Sequence, residues 1–233
     1  MRNMEKVKVR TGADLWIIVI TTVTALGVCL ALNGQLSQFA AQDDVPILWR
    51  LIPVALCQYG VAGLGITIVC MIRKEKFSKF GLNREHVVPA ILLSCLLYIP
   101  DLTLTFVYGE WHGYCPFQQV WTTRAVLSGS LPVAVAGMLI TAAAWGFFEG
   151  FNYAVITDKV NACFPSGHWW LDWGAIGCAV LCVLIHGAVG ITPRDVFDML
   201  AVIIVIYGSL MVRKKTENSW GLVFTFIFLW NAY

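Results

Sequence analysis

Apolar residues run along this chain in long blocks instead of alternating every second position or recurring every third to fourth. Seven blocks stand out, at about 15–32, 46–72, 87–108, 130–157, 170–192, 196–212 and 219–233, joined by connections of some twenty residues at most. An α-helix rises about 1.5 Å per residue and closes its own backbone hydrogen bonds, so about 20 apolar residues cross a hydrocarbon core of roughly 30 Å. The pattern predicts an all-α, polytopic membrane protein of about seven transmembrane helices. They form a single membrane-embedded helical domain over 1–233, with no room for a soluble one.

Composition points the same way. Of 233 residues, 58% are hydrophobic and 13% charged, too few charges to wet a soluble surface. The first block has no small-residue cleavage site and is followed at once by further blocks, so it reads as a retained helix. Basic residues gather at alternate connections: Arg2, Lys6, Lys8 and Arg10, then Arg73, Lys74, Lys76, Lys79 and Arg84, then Lys159, then Arg213, Lys214 and Lys215. The other connections carry only Arg50, Arg124 and Arg194. Cytoplasmic loops retain Lys and Arg, so the N-terminus is expected in the cytoplasm and Tyr233 toward the outside. The net charge of +2 anchors loops and implies no nucleic acid partner. Cys29, Cys57, Cys70, Cys95, Cys178 and Cys182 lie inside blocks, leaving Cys115 and Cys163 on opposite sides, so no disulfide framework is implied.

Polar residues within the blocks carry the candidate chemistry, because an ionisable group deep in lipid is costly and is a functional hypothesis by default. Glu149 lies nine residues before Asp158, or roughly 14 Å in from that end of its helix. His186 lies thirteen residues past Trp173, about 20 Å deep, and Asn231 twelve past Ser219, roughly 18 Å. A carboxyl, an imidazole and a carboxamide on three helices thus reach one level. Asn152, Tyr153, Trp145 and Cys182 are expected to line the same site, while Asp101 and Asp172 read as interfacial. Each candidate also has a plainer role: Glu149 as a neutral acid bonded to a neighbouring helix, His186 as an interhelical bridge, Asn231 as interhelical glue. Cys178, Cys182 and His186 recur at i, i+4 and i+8, but this stripe spans some 12 Å with no converging acid, so no metal or cofactor is expected. His112 fits an outer loop rich in aromatics, and His86 flanks a block without special chemistry.

These residues resemble the CAAX prenyl endopeptidase and bacteriocin-processing family of intramembrane glutamate proteases. The segment 73–85 is similar to the basic loop that precedes that family's core. Glu149 stands in place of its Glu-Glu-x-x-x-Arg motif, His186 of Phe-x-x-x-His, and Asn231 of His-x-x-x-Asn. The segment 215–221 resembles the polar turn before the last motif helix. Gly150, Ala154, Cys182 and Ile227 occupy positions where the family carries Glu, Arg, Phe and His. The resemblance implies a membrane-enclosed cavity in which Glu149 activates water beside His186, with Asn231 as oxyanion donor. Its substrate would be a membrane-delivered peptide or lipidated protein, among membrane lipids, in a prokaryotic plasma membrane. The altered positions equally suit an inactive relative acting as a scaffold or binding protein. A second likeness, Pro165-Ser166-Gly167-His168, is similar to the phosphate-contacting element of membrane lipid phosphatases. That family also uses a histidine further on, and none follows His186.

Overall fold

Among the described residues, seven helices of nine residues or more carry the architecture: α1 (Arg2–Ala40), α2 (Ile47–Arg73), α3 (Val87–Val107), α4 (Leu131–Cys163), α5 (Trp173–Ile185), α6 (Pro193–Thr216) and α7 (Trp220–Phe228). A computed structural model describes residues 2–186 and 189–233, and for 2–7 the backbone alone. The side chains of Arg2 and Lys6, and positions 187–188 of the fifth apolar block, therefore lie outside the described residues. Within those residues five helices are long and apolar enough to cross a membrane: α1 from Lys8, α2, α3, α4 and α6. Their outward faces are apolar, with Leu92, Leu96, Val135 and Leu139 all more than half exposed. Both features are compatible with an integral membrane protein.

The fifth and seventh blocks differ from the expected full-length helices. α5 has 13 residues and α7 has 9, about 20 Å and 14 Å of rise. Before α5, helix α4 stops at Phe164 because Pro165 follows, and the residue before a proline is pushed out of the helical region. The chain then reaches Asp172, whose carboxylate accepts the Ala175 N–H at 2.9 Å and caps α5. After α7 the 115–120 loop captures the chain: the Cys115 N–H donates to Ala232 O at 3.0 Å and the Gln119 N–H to Asn231 O at 3.3 Å. Conversely, α1 and α4 outrun the blocks at 15–32 and 130–157, since apolar runs mark lipid-facing length and not the length of the rod.

Two wide π-helical segments interrupt the long helices, Gly60–Leu64 in α2 and Ala142–Phe148 in α4. Both are rich in glycine and alanine, and they pack against each other. A Cβ on Gly63 would sit 2.4 Å from the Tyr59 ring and 2.8 Å from that of Phe148, so only glycine permits this approach. Tyr59 and Phe148 meet edge to face at 4.7 Å across it. Such segments re-aim the residues that border them and recur at functional sites. Gln58 lies just before the first and Glu149 just after the second. Gly174 serves similarly at the start of α5, where a Cβ would lie 2.4 Å from Thr157 O. In lipid, where apolar faces have no water to escape, this close approach of small residues is what holds helices together.

Charged residues concentrate at one end of the bundle. Asp14 of α1 accepts from Arg73 at 2.7 Å and Lys159 at 2.9 Å, and Lys159 also reaches Glu75 at 2.7 Å. Arg213 of α6 grips both oxygens of Asp158 at 2.7 Å, and Lys214 bonds Asp172 at 2.9 Å. These pairs join α1, α2, α4 and α6 to the start of α5. Burial raises the Glu75 carboxyl, but Lys159 and Lys79 outweigh it and hold its pKa below the ordinary 4.5. For Asp172 too, burial is outweighed, by Lys214, the Ala175 N–H and Asn161, leaving its pKa below 3.8.

Candidate functional site

Glu149 is buried, 7% exposed, and both its oxygens are engaged. Oε1 lies 3.2 Å from His186 Nε2, and Oε2 accepts a hydrogen bond from Gln58 Nε2 at 2.7 Å. Three helices meet here: α2 supplies the amide, α4 the carboxyl, and the C-terminus of α5 the imidazole. His186 follows the last residue of α5, and its Nδ1 lies 3.0 Å from the carbonyl of Cys182, one turn earlier. A carbonyl can only accept, so Nδ1 is assigned the proton. One further proton then bridges Nε2 and Oε1, either as a carboxylic acid donating to the ring or as an imidazolium donating to a carboxylate.

The pair opens onto a cavity of about 620 Å³, many times the ~30 Å³ share of one water. Trp145, Asn152, Tyr153 and Asn231 line it together with Glu149 and His186. The fourth residue expected there, Cys182, is buried behind His186, its Sγ 3.5 Å from Nδ1. Asn231 reaches the cavity from the turn after α7 and not from the last turns of a helix over 219–233 as expected. Neighbouring Trp230 supports the imidazole edge to face, with ring centroids 5.3 Å apart. On the far side the cavity is walled by Leu15, Val19 and Val23 of α1, and Thr22 ties α1 to the π segment of α2 through Val61 O at 3.0 Å.

No family model, curated protein or solved structure matches this chain.

Two contributors escape the reading from sequence. Gln58 is a carboxamide inside the second apolar block, so the depth argument that singles out Asn231 would have found it. Trp230 carried no such signal, since its role depends on how the chain turns after α7. The Cys178 thiol faces Thr157 Oγ1 at 3.4 Å and Tyr153 O at 3.6 Å, away from His186. Gly150 packs with its Cα against α7, where a Cβ would lie 3.2 Å from Leu222 O and Val223 Cα. A second glutamate there would force α4 and α7 apart. Pro165-Ser166-Gly167-His168 forms an exposed turn in which Ser166 Oγ accepts the His168 N–H at 3.1 Å, and His168 stacks on Trp170. Asp172 caps α5 instead of this turn, and none of its residues lines the cavity of Glu149.

Proposed function

We propose that this chain is an intramembrane endopeptidase of the glutamate type, resembling CAAX prenyl proteases and acting on a membrane-delivered peptide or lipidated protein. The observation that carries the reading is the Glu149–His186 hydrogen bond at the wall of a cavity shared with Asn231. In this scheme Glu149 takes a proton from a cavity water as that water attacks the scissile carbonyl. The proton passes to the leaving amine, while His186 holds the carboxylate and stabilises its charge. The Asn231 amide donates to the developing oxyanion, an interaction worth about 3 kcal/mol when preorganised. Gly150 and Ala154 remove two charged groups found in the family, and Gln58 supplies the neighbouring donor that Glu149 would otherwise lack.

The same reading has the chain cross a prokaryotic plasma membrane seven times with its N-terminus in the cytoplasm. α7 completes its crossing through the turn that carries Asn231, and non-helical backbone is tolerated at depth where it lines a cavity. Peptide cleavage by purified protein in detergent tests the proposal. Activity lost in Glu149→Gln and retained in His168→Ala supports it, and activity sensitive only to His168 would point to phosphoryl chemistry. A second reading, a non-catalytic scaffold, draws on the close packing at Gly150, and a protein binding peptides without cleaving them would favour it.

A further inference from the structure

Beyond the Glu149–His186 pair, toward the end of the molecule that holds Ala40 and Asn231, the cavity continues into a chamber of about 370 Å³. The two share Gln58, Val61, Trp145, Ile185 and Asn231. Their chemistry differs. Four carboxamides, from Asn33, Gln58, Gln119 and Asn231, line the second chamber, and none of its described lining residues is charged. Gln58 and Gln119 use their NH2 groups on Glu149 Oε2 and on Tyr233 O at 2.9 Å, and among the described residues nothing bonds their Oε1. A carboxamide offers one acceptor and two donors, the groups a peptide bond itself presents and requires.

The two chambers, of about 620 and 370 Å³, run into one another through their shared residues, so a segment lying through both would pass the Glu149 carboxyl. Resting on the proteolytic reading above, we infer that the amide-lined chamber is the subsite for one flank of the substrate. It takes an extended, uncharged peptide segment that continues past the scissile bond, in preference to a chain end. A terminal carboxylate would give up water and meet no cation among the described lining residues. Leu26, Leu30, Leu36 and Val54 line the same chamber and suit apolar side chains of the segment, whereas a bare hydrocarbon tail would satisfy none of the four amides.

Photo-crosslinking in lipid nanodiscs tests this on the Glu149→Gln protein, using diazirine probes of equal length. One is an N-acetylated, C-amidated tetrapeptide of Ala, Val and Leu; a second bears a free C-terminal carboxylate; the third is a straight-chain fatty alcohol. The capped peptide should label the chamber around Cys29, Trp121 and Asn33 about tenfold more than the carboxylate form. Asn33→Leu, at an exposed position that does not threaten folding, should cut that labelling about fivefold, and Asn33→Gln should restore it. Equal labelling by the carboxylate probe, displacement of the peptide by the fatty alcohol, or an unaffected Asn33→Leu protein would each overturn the subsite. The wild-type protein separates the two claims. Labelling of the chamber without peptide cleavage keeps the subsite and ends the proteolytic reading, whereas cleavage without labelling does the reverse.

Discussion

At the Asp14 end of the bundle every buried charge has a counter-charge: Asp14 with Arg73 and Lys159, Glu75 with Lys159 and Lys79, Asp158 with Arg213. Halfway along the same helices Glu149 has only a histidine and a neutral amide, and it faces an open cavity. The two regions use similar residue types and each borders a cavity, but among the described residues only the second pairs its acid with an imidazole and an amide instead of a full counter-charge. Saturated ion pairs fix helices relative to one another. An acid held by weaker, movable partners is what proton transfer needs.

Substitutions that strike one region and spare the other test this contrast. The largest expected effect is on chemistry: Glu149→Gln keeps the shape of the site and should lower the peptide-cleavage rate by about 10²–10⁴-fold, with the thermal midpoint close to that of the wild type. A comparable loss of stability would show that Glu149 is structural. Next in size, Asp14→Ala leaves Lys159 with Glu75 alone and takes the carboxylate from Arg73, and should destabilise the fold by about 1–3 kcal/mol while leaving the rate per folded molecule unchanged. Thermal unfolding followed by circular dichroism in detergent measures the first part, and active-site titration the second.

Gln58→Leu should produce a smaller change, about tenfold in kcat with a smaller rise in KM, because it removes one donor to Glu149 and one of the four carboxamides that face the substrate segment. A pH profile shifted relative to the wild type would separate this positioning role from loose packing. The smallest effect is acid sensitivity of the ion-paired end. Glu75 and Asp172 have folded-state pKa values below their ordinary 4.5 and 3.8, so their stabilisation is complete above those values. It is lost as pH falls through them toward the folded values, and the thermal midpoint should drop between about pH 5 and pH 3. Glu75→Gln combined with Asp172→Asn should flatten that dependence. A midpoint as steep as in the wild type would shift the origin of acid sensitivity elsewhere.

The helical character of the chain and its apolar outward faces are legible in its apolar blocks, because a backbone in apolar surroundings must bond to itself and the helix is the local way to do so. Five blocks became helices of spanning length, since nothing in them competes for the backbone. The fifth starts late, at the Asp172 cap, and the seventh ends early, at the hydrogen bonds from Cys115 and Gln119. An Asp three residues before the N–H it caps is a local signal and could be read in advance. The loop bonds connect residues more than a hundred positions apart and could not.

The site divides in the same way. Residue type and depth mark Glu149 and His186, because a polar group in an apolar run stands out wherever the helices go. Sequence by itself therefore determined which groups are available, their approximate level, and the outward apolar faces. Only tertiary structure decided that Gln58 takes the second oxygen of Glu149, that Asn231 enters from a turn, and that Cys182 orients the imidazole through its carbonyl. Those outcomes follow from the rotation of each helix about its axis, which π segments and glycine contacts at Gly63 and Gly174 set. Rotation is fixed by packing between distant segments, and hydropathy along one chain carries no information about it.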